Sequence, residues 1–178
     1  MNKLLIMCEG QNEKEIINIL LDNDLLKFTQ DDLLGLTPYH ARQIKNNAQV
    51  KIELNMYPGK VDILRIGDKQ SDKLVIPQEY KDKIGTIKKY CTKPELEILL
   101  ILAFNLEKEY EKVKSKMKAK DFAKNNIIIN KKHYNNSTSF YAEFFGNNSN
   151  LLIKCLKDYK QYNGSHLKDE HYLEELLK

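Results

Sequence analysis

Cysteine is scarce: Cys8, Cys91 and Cys155 are the only three, odd in number and without the spacing of a metal site. They argue against a disulfide framework and read as reduced, buried thiols of a cytoplasmic protein. The four histidines, His40, His133, His166 and His171, are scattered and form no zinc signature; His166 and His171 read as exposed tail residues. No stretch approaches the ~20 apolar residues of a membrane span, so no membrane association is expected. The N-terminal apolar run ends at an acidic residue, Glu9, which does not fit a cleavable signal. A glycine-rich phosphate loop is missing too, because Glu9-Gly10-Gln11-Asn12 lacks the further glycines and the lysine, and this weakens a nucleotide-binding regulator as a reading. There is no internal repeat or low-complexity linker.

What is present is enough chain for one core. At 178 residues the length suits a single domain, and the net charge of +4 is unevenly spread. Lys108, Lys112, Lys114, Lys116, Lys118, Lys120, Lys124, Lys131 and Lys132 crowd one segment. Such a cluster suits phosphate neutralisation, yet Glu107, Glu109, Glu111 and Asp121 are interleaved with it, as on a solvated helix face. Both readings stand.

The chain is organised around its beginning. Leu4 to Met7 form an unbroken apolar run of the kind buried on both faces of a parallel sheet, and Gly10 permits a sharp turn off it. Asn12 reads as a helix N-cap, with Ile16, Ile17, Ile19, Leu20 and Leu21 on the buried face that follows. A strand, turn and helix in this order place Glu9 at the carboxyl end of the strand, where open α/β sheets bind ligands. Leu25 to Phe28 reads as a short second strand. Thr37-Pro38 reads as a helix start continued by Tyr39 to Asn46; beyond it Val50, Ile52, Leu54 and Met56 alternate as in a strand, while Ala41, Ile44, Ala48 and Ile52 fit a helix extending toward Pro58-Gly59, the reading preferred.

Lys60 to Ile66 repeats the opening pattern, an apolar strand delivering Asp68 at its end. Gly85 to Cys91 suits a further strand, and Thr92-Lys93-Pro94 announces a nearly all-apolar helix from Glu95 to Phe104. A helix of that composition belongs at the centre, so Glu97 within it needs a cation or a hydrogen-bond partner. Beyond it the pattern is helical: Leu106 to Ala123, Ser137 to Phe145, Asn150 to Tyr162 and Leu167 to Leu177. Phe140, Tyr141, Phe144 and Phe145 recur at helical spacing, as core residues do. The expected fold is α/β: a small, mainly parallel sheet flanked by helices over residues 1–105, with a helical extension over 106–178 packed on it as one compact domain.

Glu9, Asp68 and Glu97 thus stand at two strand ends and in a buried helix. Converging carboxylates suit Mg²⁺ or Mn²⁺, which can activate water and stabilise the leaving oxygen in phosphodiester cleavage. Alternatively, each acid caps a helix or pairs with a lysine.

Cys8-Glu9-Gly10-x-x-Glu13 resembles the opening motif of Toprim-type nucleases, in particular their RloB-like and OLD-like relatives. Thr92-Lys93-Pro94-Glu95-Leu96-Glu97 is similar to the Ser-Asn-Pro-x-Phe-Glu motif of the RloB-like group, whose proline and last glutamate fall on Pro94 and Glu97. The resemblance spans roughly residues 3 to 105. It implies a Toprim-like fold and a Mg²⁺- or Mn²⁺-dependent nuclease of phage defence or nucleic-acid processing. In that reading Glu9 is base or metal ligand, Asp68 a metal ligand, Glu97 a second-metal or supporting ligand, and Arg65 and Lys69 phosphate contacts. Lys112, Lys116 and Lys120 would lie along the nucleic acid. The chain departs from the family at the middle strand. Where Toprim domains carry Asp-x-Asp it has Ile66-Gly67-Asp68-Lys69-Gln70, and Asp72, two residues outside the usual spacing, is the candidate to supply the missing metal ligand from the loop. The departure keeps a second expectation open: a catalytically degenerate Toprim-like module that binds nucleic acid or a protein partner.

Overall fold

The computed structural model describes residues 2–68, 73–162 and 166–178. Its centre is a five-stranded, wholly parallel sheet. The strands are β1 (Lys3–Cys8), β2 (Tyr39–His40), β3 (Val61–Gly67), β4 (Ile84–Cys91) and, far along the chain, β7 (Glu170–His171). Their spatial order is β2-β1-β3-β4-β7. The chain leaves β1 for one neighbour and returns to the other side of β1 with β3. The carboxyl ends of β1 and β3 therefore flank the switch point where such sheets hold ligands.

Both faces of the sheet are covered, as the unbroken apolar runs predict. Alternation along the strands divides the core. Ile6, Cys8, Leu64 and Ile66 face the larger cluster, built on α1 (Gln11–Asp22), α3 (Ile98–Ala103), α5 (Ala119–Asn126), α6 (Thr138–Gly146) and α7 (Ser149–Tyr162). Leu5, Met7, Val61 and Ile63 face the smaller cluster with Val50 and Leu54 of α2 (Ala48–Met56). Five consecutive residues of α3, Ile98 to Leu102, are buried, each contributing ~1.5–3 kcal/mol of apolar burial. Glu107–Val113 forms α4, and β5 (Ile128–Ile129) pairs antiparallel with β6 (Lys132–His133). The α/β class, the parallel sheet, the flanking helices and the helical C-terminal part are as the sequence predicts.

Several elements differ from expectation. Tyr39–His40 is a strand, and Ile44–Asn46 a single 3-10 turn before α2. Two residues at a sheet edge carry no periodicity, so the helix-start signal of Thr37-Pro38 misleads. Leu25 to Phe28 holds one bridge, Leu26 to Leu177, outside the main sheet. The expected helix Leu106 to Ala123 is two helices, α4 and α5. Leu167 to Leu177 contains β7 and a 3-10 turn, Leu173–Leu176, in place of a helix. His166 is no exposed tail residue: its ring stacks on Tyr172 with centroids 3.9 Å apart, and Nε2 lies 2.7 Å from the Tyr159 hydroxyl. His171 lies in β7, its Nδ1 2.9 Å from Glu175 Oε2. All three cysteines are buried and free, their thiols pushed up chiefly by burial.

Candidate functional site

At the carboxyl end of the sheet, the first turn of α1, the end of β3 and the start of α3 enclose a cleft of about 310 Å³. Glu13, Asp68, Glu95 and Glu97 line it, and Lys120, Asn136 and Thr138 close it from the C-terminal part. Asp68 continues the series Leu64 and Ile66 toward the face that carries α1 and α3, and so enters the cleft. Gly10 sits at an ordinary extended φ of −134°. Its lack of a side chain matters for space, not for conformation, because a Cβ there would collide with the folded-back Glu13 carboxylate. The sequence motif Glu9-Gly10-x-x-Glu13 thereby acquires a steric reason.

Glu9 behaves differently from Asp68. By alternation it follows Leu5 and Met7 toward the face of α2, and its side chain crosses over Gly67, where a Cβ would clash with it. Its Oε1 is paired with the exposed Arg42 guanidinium at 2.8 Å. Glu9 therefore stands beside the cleft, close enough that its charge acts on Glu13.

Glu97 is 5% exposed and occupies the N-cap of α3. The partner its burial demands is an uncharged one from the C-terminal part: the hydroxyl of Tyr134, which donates to Oε1 at 2.7 Å and lies 3.2 Å from the Tyr141 hydroxyl. Burial pushes the Glu97 carboxyl above its ordinary value, against the lowering effect of that hydrogen bond. Burial and then the charge of Glu97 push both phenols up, so they stay neutral donors. Glu95 Oε2 accepts from the Lys120 backbone N–H at 2.9 Å, tying the start of α5 to the cleft. Glu13 is pushed up to about 7, first by burial and further by the charges of Asp68, Glu9 and Glu97, with its own backbone N–H opposing.

Of the three acids singled out in the sequence, Asp68 and Glu97 share the cleft, and Glu9 adjoins it. Glu13 and Glu95 were missed as site residues although both lie within the quoted motifs. Glu13 sits four residues beyond Glu9, in the first turn of α1, and that spacing was the available signal. Among the phosphate-contact candidates, Lys120 lines the cleft, while Lys112 on α4 and Lys116 beyond it are exposed and do not line it. Arg65 is a correction: it is 5% exposed, and alternation with Val61 and Ile63 turns it to the α2 face, away from the cleft. Lys69 and Asp72 lie outside the described residues.

The donor set suits a hard divalent cation, since it is all carboxylate and carries excess negative charge. Among the described residues no three acidic, histidine or cysteine side chains are grouped closely enough to hold an ion by themselves. A Mg²⁺ ion, which commonly keeps several waters and uses one or two carboxylates, remains compatible with such a site. Among the described residues no helix is long and apolar enough to cross a membrane. The chain matches no protein-family model, no curated protein and no solved structure.

Proposed function

We propose that the chain is a Toprim-like, Mg²⁺- or Mn²⁺-dependent nuclease that hydrolyses phosphodiester bonds of DNA or RNA. The observation that carries this reading is the cleft itself: Glu13, Asp68 and Glu97 face one space at the switch point of a parallel sheet, with Lys120 opposite. Asp68 and Glu97 would hold the cation, with Glu13 between them in charge if not in coordination. When bound, such an ion supplies an activated water and stabilises the leaving oxygen. The chain's own residues do the rest. Glu13, held above its ordinary value by burial and the neighbouring acids, stands in the cleft where a carboxylate can accept a proton. Tyr134 fixes Glu97 through its hydroxyl. Lys120 in the cleft attracts the phosphate backbone, and the exposed Lys112 and Lys116 add to the positive charge of the C-terminal part. The role in phage defence stays with the family resemblance.

A second reading has its own support. The Glu9–Arg42 pair and the lack of a close three-ligand group among the described residues favour a catalytically degenerate module that binds nucleic acid or a protein partner.

Incubation with supercoiled plasmid and with single-stranded RNA, in Mn²⁺ and in Mg²⁺, separates the two. Cleavage that EDTA stops and that Asp68→Asn lowers at least about a hundredfold supports the nuclease. Intact substrates, together with a melting temperature indifferent to either metal, leave the binding module.

A further inference from the structure

The cleft has two walls of opposite sign, and one neutral side chain stands between them. Glu97 and Lys120 both line it, yet they form no direct ion pair in the structure. Asn136 is interposed. Assigned from its neighbours, its amide NH₂ faces Glu97 Oε1 at 3.1 Å and the Tyr134 hydroxyl at 3.1 Å, its carbonyl oxygen accepts from Lys120 Nζ at 2.9 Å, and the Asn12 amide, 3.2 Å away, turns its oxygen to the NH₂. The neighbours dictate this orientation, because the reverse would set the amide oxygen against a carboxylate and the amide nitrogen against an ammonium.

The backbone supports the same placement. Asn136 has a φ of +62°, a left-handed conformation that asparagine tolerates better than most side chains. Two residues on, the Thr138 hydroxyl lies 3.1 Å from the Asn12 side-chain amide, clasping the segment to the first turn of α1. An ammonium in direct contact with Glu97 would cancel the charge each could offer to a ligand. With an amide between them, both charges persist in one cleft.

We propose that Asn136 is a charge spacer: it keeps the Lys120 ammonium off Glu97, leaving the carboxylate for a divalent cation and the ammonium for a phosphate of the same nucleic-acid strand. This rests on the nuclease reading and adds a positioning residue to it. Asn136 touches neither reactant; it acts through Glu97 and Lys120.

The test compares wild type with Asn136→Gly, Lys120→Gln and the double variant, each first shown to be folded by circular dichroism and urea unfolding. Glycine keeps the positive φ accessible while removing the amide. Two probes are titrated separately: Mn²⁺ alone, and a fluorescein-labelled twelve-nucleotide single strand in Ca²⁺. In Asn136→Gly, Lys120 reaches Glu97, so Mn²⁺ binding weakens about tenfold and strand binding also weakens about tenfold. The slope of strand affinity against salt becomes shallower by about one phosphate contact. Adding Lys120→Gln to Asn136→Gly raises Mn²⁺ affinity by clearly more than Lys120→Gln raises it in the wild-type background and leaves strand binding weak, an excess that a purely structural role of Asn136 does not produce. Asn136→Gly with wild-type affinity for both probes, or a double variant without that excess, overturns the spacer while the nuclease reading stands. Wild-type protein that binds no Mn²⁺ overturns both.

Discussion

The cleft and the far edge of the sheet handle carboxylates in opposite ways. Where β4 meets β7 and in the turn that follows, acids are matched with ammonium groups, Lys89 with Asp169 at 3.0 Å, Lys93 with Glu170 and Lys160 with Glu174 at 2.8 Å, and Glu175 lies 2.9 Å from the His171 ring nitrogen. The Lys89 ammonium holds Asp169 below its ordinary value. Burial pushes Glu170 up, yet the Lys93 ammonium and the Leu167 N–H outweigh it, and Glu175 is lowered likewise, against burial, by the Tyr172 N–H and His171. In the cleft, Glu13 and Glu97 are raised instead. This fold can therefore neutralise acids at a sheet margin. The repulsion left in the cleft comes from which residues stand there, not from the architecture.

The contrast can be broken at the edge first. Lys93→Met leaves Glu170, whose side chain is 5% exposed, without its ammonium, and is expected to cost about 2–4 kcal/mol in urea unfolding at pH 7.5. The pairing lowers the folded-state value of Glu170, so its contribution is present above the unfolded-state value and is lost as pH falls through the folded one. At pH 3 the variant and wild type should converge. A cost near zero at pH 7.5 would erase the distinction between the two regions.

Glu13→Gln should act with the opposite sign. Folded Glu13 holds its proton to about 7 against an ordinary 4.5, so wild-type stability falls as pH rises between those values, because only the unfolded chain has released the proton. Removing the charge is expected to stabilise the protein by on the order of 2–3 kcal/mol at pH 8 and to change nothing at pH 4, read as unfolding midpoints. Destabilisation at pH 8 would mean that the acids of the cleft are not in mutual repulsion. Least affected should be Lys160→Gln at the solvated end of the edge, where loss of the Glu174 pair is expected to move the melting temperature by under about 2 °C. A larger drop would show that the outer ion pairs act as a network.

Much of this arrangement was legible in the sequence because strong apolar runs specify buried strands. β1, β3 and β4 each announce themselves, and the acid at the end of β3 follows from simple alternation. Helices α6 and α7 follow from aromatic and aliphatic spacing. The two shortest parallel strands, β2 and β7, are held by neighbours instead of by their own pattern, and both were read as helix. The site was half legible for a similar reason. Asp68 and Glu97 stood out by position, whereas the pairing of Glu9 with Arg42 and the turning of Arg65 to the other face depend on which side of a strand each residue occupies. Tyr134, Asn136 and Thr138 carried no signal, since the segment reads as a polar turn until the fold sets it against α1 and α3.

That late segment has a consequence for the timing of biosynthesis. Glu13, Asp68 and Glu97 leave the ribosome well before Tyr134 and Tyr141, the hydroxyl pair that secures Glu97. A nascent chain halted at residue 105 would carry every acid of the cleft without the phenol and amide that orient them. On the reading proposed, cutting activity therefore waits for the segment of Tyr134 and Asn136 to seat against α1 and α3.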